Sequence, residues 1–196
     1  NDPDPLLHNG TVYNFISVKT DGHQFLEGDT FFQGAVTIGN KTYEGLYLNY
    51  DIFNQEVLLR IELDRTSKII SLPKERISGF TIGNRSFVVL HDRQWEYSIY
   101  EITGSRQLAM LYRWTKDIKV STNNDVYNYL YTNAKRTMFL LRPDGLTKIR
   151  GKRDFLNAFE DDEKAALKRY MRTNKIRFRT MQKSEMQELI NYVSRL

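Results

Sequence analysis

Three tyrosines in the segment VYNYLYT are the residues of this sequence best suited to hold a ligand. Tyr127, Tyr129 and Tyr131 alternate with other residues, so in a β-strand they would share one face. An aromatic ring with a hydroxyl group suits a sugar ring, a lipid or a peptide surface. The same pattern suits a half-buried sheet face, because tyrosine favours strands in any case. Ligand binding and sheet packing are therefore both compatible with this stripe.

A basic run near the C-terminal end is the second candidate. Residues 164–183 contain eight lysines and arginines and no acidic residue. Six of them are predicted to bind an anion: Lys168, Arg169, Arg172, Lys175, Arg177 and Arg179. Arg177 and Arg179 flank Phe178, and cations interleaved with aromatic rings are typical of nucleic-acid surfaces. A solvated face with Phe178 in the core explains the same pattern without a ligand.

The other residue types form no catalytic motif. The three histidines, His8, His23 and His91, lie outside any metal-binding spacing. Cysteine is absent, which excludes thiol catalysis and disulfides. The chain has neither the serine-nucleophile motif nor a glycine-rich phosphate loop. We therefore predict no catalytic residue, no metal site and no cofactor.

The loop DIFNQE contains the two carboxylates most able to act as a pair. Asp51 and Glu56 could serve acid–base chemistry, but the loop lacks the spacing of a calcium loop. We interpret Asp51 as a turn residue that accepts backbone N–H bonds. Ile52 and Phe53 are expected to fold back onto the core, because large exposed apolar patches are uncommon on monomers.

The elements that must position these residues are mainly strands. About a dozen short apolar and aromatic runs, separated by turn residues, extend from Thr11 to about Ile149. They predict a mainly β fold, either an antiparallel β-sandwich or an open barrel, with a small C-terminal helical unit. We divide the chain into a tether (1–10), an antiparallel β domain (11–150) and a C-terminal helical segment packed on that domain (151–196).

A near-repeat marks two of the turns. TIGNKTY at Thr37–Tyr43 and TIGNRSF at Thr81–Phe87 each place Gly-Asn between two strand-like runs. Glycine followed by asparagine suits a type II′ hairpin turn. Both segments also match the N-x-S/T glycosylation pattern, but we interpret the asparagines as turn residues.

The C-terminal quarter changes to a helical period. Asp154 is predicted to cap a short helix, and the acidic run Glu160–Glu163 to begin a second one. Ser184 and Gln187 have the spacing of a capping box for the last helix. Lys175–Arg179, between the last two helices, alternates as a strand does.

Charge and composition narrow the class of protein. The net charge is +5, and residues 151–196 contribute +4 of it. No run approaches the roughly 18 apolar residues of a membrane helix. The chain opens with Asn1, and the segment NDPDPLLHNG has the character of a tether that follows a cleavage site, which favours export.

Two longer segments resemble a known group of sequences. GNKTYEGLYLNYDIFNQEVLLR (Gly39–Arg60) and the tail Phe155–Leu196 are similar to an uncharacterised family of exported proteins of Gram-negative, gut-type bacteria. The two segments cover about a third of the chain. The resemblance implies a β-rich protein of the periplasm or outer envelope, and it carries over no functional residue.

These observations favour a non-enzymatic exported envelope protein that binds a ligand or partner. An envelope component, a polysaccharide or another protein would be the partner, and nucleic acid is disfavoured. The alternatives are an envelope hydrolase that uses Asp and Glu side chains, and a polyanion or nucleic-acid binder that uses the basic C-terminal segment.

Overall fold

The structure, a computed structural model, describes residues 10–15, 20–63, 66–91, 97–123 and 126–196. These ranges contain 14 strands and three α-helices. The strands are β1 (Thr11–Val12), β2 (Thr20–Asp21), β3 (Phe32–Ile38), β4 (Lys41–Asp51), β5 (Glu56–Leu63), β6 (Thr66–Leu72), β7 (Ile77–Ile82), β8 (Arg85–His91), β9 (Tyr97–Gly104), β10 (Ala109–Thr115), β11 (Ile118–Asn123), β12 (Val126–Tyr131), β13 (Lys135–Arg142) and β14 (Gly145–Ile149). The helices are α1 (Lys152–Asn157), α2 (Asp161–Thr173) and α3 (Lys183–Val193). The predicted tether, residues 1–10, lies outside the described residues except for Gly10.

The described strands form one large and one small sheet. Eleven strands follow the order β1-β6-β5-β4-β3-β7-β8-β9-β10-β13-β14. The small sheet has the order β11-β12-β2, with β11 and β12 antiparallel and β12 and β2 parallel. The predicted class, mainly β and antiparallel with a small helical segment at the C-terminal end, is confirmed.

The chain divides into two compact units, which we describe separately. The first unit comprises residues 1–100 and 114–135, and the second comprises residues 101–113 and 136–196. The boundary falls within β9, after Tyr100.

An aromatic group lies at the centre of the first unit. Tyr50 is 1% exposed, and its ring meets those of Phe80 and Phe87 edge-on at centroid distances of 5.9 and 5.6 Å. The rings of Phe80 and Phe87 stack on each other at 4.6 Å. Apolar residues of β3 to β9 surround this group. Because core aromatic pairs add about 0.5–1.5 kcal/mol beyond the area they bury, the group stabilises the pairing of these strands.

Both predicted hairpins are present. A two-residue loop joins β3 to β4 and another joins β7 to β8. Gly39 and Gly83 have φ of 57° and 55°, whereas Asn40 and Asn84 stay outside the positive-φ region. A positive φ at the first loop position only is the mark of a type II′ turn, so the near-repeat is explained by hairpin chemistry.

The helices of the second unit begin close to the predicted positions but use other caps. Glu160 and Glu163 form the capping box of α2, in the predicted acidic run. The predicted box of Ser184 and Gln187 is wrong, because Gln182 and Glu185 form the box of α3 two residues earlier.

The predicted cap of the first helix is also wrong. The N-cap of α1 is Gly151, and Asp154 lies inside the helix. The Asp154 carboxylate still serves the helix start, because it accepts the Arg150 N–H at 3.0 Å.

A buried ion pair fixes α3 on the sheet strand β9 within the second unit. Glu101 is 4% exposed, and its carboxylate accepts a bond from the Lys183 ammonium at 3.0 Å. Lys183 is the first residue of α3 and is half-exposed. A buried carboxylate is expensive to leave without its partner, so this pair sets where α3 begins on the sheet.

We expect Lys183→Met to lower the free energy of unfolding by about 1–2 kcal/mol, since Glu101 would lose a charged partner. Urea denaturation at pH 7 measures the change. The matched control, Lys148→Met on an exposed position of β14, should change stability by less than about 0.5 kcal/mol. Equal losses in both variants would contradict a stabilising role for the pair.

Candidate functional site

The six residues predicted to bind an anion share one property, which is exposure to solvent. Lys168, Arg169 and Arg172 lie on α2, and Lys175, Arg177 and Arg179 follow its C-terminal end. None of the six forms an ion pair with another described residue. We call these six residues the basic surface. Their role in binding stays a prediction.

Apolar residues of α2 and of the segment after it are buried, and this packing directs the cations outward. Leu167 and Met171 are the buried residues of α2, so the other faces of the helix carry the charges. The segment Lys175–Arg179 is not a strand, contrary to the prediction. Ile176 is buried, and the half-buried Phe178 ring lies 5.2 Å from that of Phe155. The alternation of apolar and basic residues in this segment therefore comes from a turn with two apolar anchors and not from a strand.

The end of α2 places a lysine in a backbone conformation that favours glycine. Lys175 has φ of 54°. Its N–H donates to Arg172 O at 3.2 Å, and the Ile176 N–H donates to Met171 O at 2.8 Å. This bond pattern is a Schellman motif, whose left-handed position is usually glycine. Lysine therefore bears roughly 1 kcal/mol of backbone strain there.

The net charge differs more between the two units than between the sequence segments before and after residue 150. The residues of the second unit include 17 Lys and Arg against 9 Asp and Glu, a balance of +8. Those of the first unit include 12 against 15, a balance of −3. Division of the sequence at residue 150 hides this difference, because residues 101–113 and 136–150 belong to the basic unit.

A cationic cleft of about 470 Å³ lies between α1 and α2. Its lining residues are Lys152, Arg153, Leu156, Asn157, Lys164 and Lys168. The Lys164 ammonium donates to Asn157 Oδ1 at 2.8 Å. Lys168 also belongs to the basic surface, so the two features adjoin. Sequence reasoning counted Lys164 in the basic run but did not connect it with Lys152 and Arg153, since these residues lie on different helices.

The tyrosine stripe runs from a buried end to a more exposed one. Tyr131 is 8% exposed and packs edge-on against Phe53 at 5.5 Å. Tyr129 is half-buried and pairs with Val120, which is 56% exposed. Tyr127 lies on the same strand, and its side chain is not among those that the structure describes. Ligand binding by these tyrosines stays a prediction, with Tyr131 serving mainly as a packing residue.

Asp51 organises the turn between β4 and β5, as predicted. Its carboxylate is fully buried and accepts four bonds. The donors are the Tyr13 hydroxyl at 2.5 Å, the backbone N–H groups of Phe53 and Asn54 at 2.9 and 2.8 Å, and the Asn54 amide at 2.8 Å. Ile52 is also fully buried and Phe53 half-buried, so the turn folds back onto the core. Asp51 is thereby committed to structure.

The last residue of this turn is held in a left-handed conformation. Gln55 has φ of 60°. Its side-chain amide donates to the carbonyls of Ile52 and Trp114 at 2.7 and 2.8 Å, and it accepts the Tyr50 hydroxyl at 2.9 Å. Three hydrogen bonds thus hold a backbone conformation that is unfavourable for a side chain with a Cβ.

A buried lysine lies beside one of the predicted histidine candidates. The Lys116 ammonium donates to His23 O at 2.6 Å and lies 3.2 Å from His23 Nδ1. Burial lowers the pKa of Lys116, and the Asp51 carboxylate opposes that shift. Burial and the Lys116 charge also lower the pKa of His23. A neutral imidazole can accept a hydrogen bond from the Lys116 ammonium. We therefore interpret this contact as structural.

The other two histidines take no part in a described site. His91 is exposed, with its ring 4.8 Å from that of Tyr97. His8 lies outside the described residues. In the part of the chain that the structure describes, no three His, Cys, Asp or Glu side chains are arranged to hold a metal ion.

One polar pocket of about 260 Å³ contains two carboxylates. Glu56 and Glu75 line it together with Ser71 and Lys74. Burial raises the pKa of the Glu56 carboxyl, against a hydrogen bond from Ser71 that lowers it. Glu56 therefore shares a pocket with Glu75. It also lies opposite Asp51 in the pairing of β4 with β5, and the Asp51 charge further raises the pKa of the Glu56 carboxyl.

The fold and these sites define a mainly β, antiparallel protein with a basic helical segment. No family model, curated protein or solved structure matches the chain. None of the helices in the described ranges has the length and apolar character needed to cross a membrane.

We expect Gln55→Gly to be about 1 kcal/mol more stable than Gln55→Ala, although both lie below the wild type. Both variants lose three hydrogen bonds, worth together about 3 kcal/mol, but only glycine adopts the positive φ without strain. Urea denaturation of the two variants tests this order. If alanine were the more stable, the backbone strain would not be real.

Alkaline pH should destabilise the protein, because three of its buried tyrosines have raised pKa values. Burial and the bond to Asp51 raise the pKa of Tyr13. Burial also raises the pKa of Tyr131, and it raises the pKa of Tyr112 to about 12. The unfolded chain releases these protons near pH 10, the folded chain only at higher pH, so stability falls as pH rises above 10. The lowered pKa of Lys116 acts in the opposite direction. Its contribution to the free energy of unfolding rises with pH and is complete near pH 10.5.

Removal of the Tyr13 hydroxyl isolates one share of this loss. Tyr13→Phe is expected to lose about 1 kcal/mol less than the wild type between pH 9 and pH 11, although it is less stable at pH 7. Unfolding free energies at several pH values measure both effects. An identical alkaline slope in the two proteins would show that Tyr13 titrates normally.

Proposed function

We propose that this protein is a non-enzymatic binding protein of the cell envelope, which holds an acidic polysaccharide on the basic surface of its second unit. The observation that supports the proposal is the separation of charge, +8 on the second unit against −3 on the first. A surface of one sign attracts the opposite sign over several ångströms and speeds encounter. The envelope location is part of the proposal, and the sequence resemblance supports it.

The spacing of the cations suits a polymer. Lys168 and Arg172 are four residues apart on α2, which places them about 6 Å apart along one helix face. Lys175, Arg177 and Arg179 continue the charge beyond the helix end. A repeating anion can contact several of these cations together, and each contact releases counterions from the polymer.

The strained position of Lys175 supports the same interpretation. Glycine would relieve the left-handed backbone at this Schellman motif, yet a lysine stands there with its side chain exposed. The charge is thus presented at a local cost in stability. Local strain of this kind is concentrated at functional positions.

The aromatic residue in the segment favours a polysaccharide over single-stranded nucleic acid. Binding of single strands depends on aromatic rings on which bases stack. Phe178 is half-buried and packs against Phe155, so its ring is engaged within the unit. The basic surface therefore offers charge without a stacking platform.

The enzyme alternative has weaker support. Glu56 and Glu75 share a pocket, and a carboxyl with a raised pKa suits a general acid. However, the residues that line this pocket include no aromatic ring to hold a sugar. Binding by the basic surface is for this reason the function that we favour.

Heparin, a dense anionic polysaccharide, is the probe for a direct test. We expect wild-type protein to bind heparin with an affinity that falls linearly with the logarithm of salt concentration. The variant Arg172→Gln/Arg177→Gln/Arg179→Gln should bind at least about tenfold more weakly and with a shallower salt slope. Fluorescence anisotropy with labelled heparin at several salt concentrations measures both quantities.

A charge-matched control separates the basic surface from net charge. Lys68→Gln/Arg76→Gln/Lys119→Gln removes three exposed cations from the first unit and should leave heparin affinity within about twofold of the wild type. Equal loss in the two triple variants would refute a localised surface. Tighter binding of a single-stranded oligonucleotide than of heparin would refute the polysaccharide.

A further inference from the structure

The cleft between α1 and α2 differs from the basic surface because its cations come from two helices, Lys152 and Arg153 from α1 and Lys164 and Lys168 from α2. Four of its six lining residues are Lys or Arg, and none is acidic. Its volume of about 470 Å³ lies within the range of small-molecule sites. From this geometry we infer that the cleft binds a phosphate group, either free phosphate or the phosphate monoester of a sugar.

The cations of the cleft are placed where they repel one another. Lys164 and Lys168 lie four residues apart on α2, and like charges at this spacing destabilise a helix. Lys152 and Arg153 open α1, where the helix dipole is unfavourable to positive charge. A bound dianion would relieve both effects at once, since it lies between the two helices and opposite in sign to all four.

Two contacts hold the walls of the cleft before a ligand arrives. The bond from Lys164 Nζ to Asn157 Oδ1 at 2.8 Å joins α2 to α1. Leu156 is 5% exposed and fixes the inner face of α1 in the apolar core of the unit. Lys164 keeps two further N–H donors beyond the one used by Asn157, so it can bind an anion and brace the cleft together.

The chemistry of the lining selects the ligand class. A phosphate monoester carries a charge of about −1.5 to −2 near neutral pH and three acceptor oxygens. Ammonium and guanidinium groups are strong donors to such oxygens. A singly charged carboxylate would leave most of the positive charge unbalanced. The group can come from free phosphate or from a phosphorylated sugar, and both share the same recognition.

This inference extends the proposed function, because Lys168 belongs both to the cleft and to the basic surface. The cleft would hold a terminal phosphate, while the surface holds the repeating anions of a chain. The two sites can nevertheless be separated by experiment, since Lys152, Arg153 and Lys164 belong to the cleft alone.

Isothermal titration of the whole chain at pH 7.5 with glucose 6-phosphate, inorganic phosphate and glucose tests the cleft. We expect saturable binding of the two phosphates at one site and none of glucose. Tighter binding of glucose 6-phosphate would assign a phosphorylated sugar, and equal binding would assign phosphate itself. Absence of saturable phosphate binding overturns the inference.

Matched double variants locate the site. Lys152→Gln/Arg153→Gln should weaken phosphate binding at least tenfold, and Lys164→Gln should do so as a second, independent variant. Lys148→Gln/Arg195→Gln removes the same charge from exposed positions outside both the cleft and the basic surface, and it should keep the dissociation constant for phosphate within twofold. Circular dichroism verifies that each variant is folded. Equal weakening by the cleft variants and the control variant overturns the inference.

Heparin binding measured in parallel distinguishes the two proposals. If heparin binds normally while phosphate fails to bind, the cleft is refuted and the basic surface is not. If phosphate binds while heparin does not, the polymer surface is refuted and the cleft stands.

Discussion

A fully buried carboxylate constrains the first unit more than any other single group. Charge cannot be buried without compensation, so Asp51 requires donors from several parts of the chain. Tyr13 comes from the segment after β1, while Phe53 and Asn54 come from the turn itself. Gln24 in turn donates to the Tyr13 hydroxyl at 3.0 Å. The Asp51 side chain thus holds the turn between β4 and β5 and the position of Tyr13, which is also bound by Gln24.

The second unit is stabilised mainly by buried apolar side chains, and most of its charged side chains are exposed. Apolar residues of α1, α2 and α3 are buried, and Glu101 with Lys183 is a charged exception on the sheet. Because the apolar faces of the helices turn inward, the lysines and arginines are left on the outer faces. The same packing therefore accounts for the fold of the segment and for the basic surface on which its proposed role depends.

Local patterns in the sequence were enough to predict the antiparallel β class, the two hairpins and the turn role of Asp51. The predicted strand at Lys175–Arg179 failed, because alternation of Ile176 and Phe178 with cations arises equally from a turn with two apolar anchors. The cleft could not be foreseen, since Lys152 and Lys164 are brought together only by the packing of α1 against α2. The sequence left ligand binding and packing both open for Tyr131, because its partner Phe53 is distant in sequence.

The parallel pair of β2 and β12 has a kinetic consequence. Thr20 pairs with Tyr129, so more than a hundred residues lie between the two strands. Closing a loop of this length loses chain entropy before the short pair can form its hydrogen bonds. The hairpins of β3 with β4 and of β7 with β8 close over two residues only. The order of assembly during folding is therefore expected to run from these hairpins to the pairing of β2 with β12, which forms late.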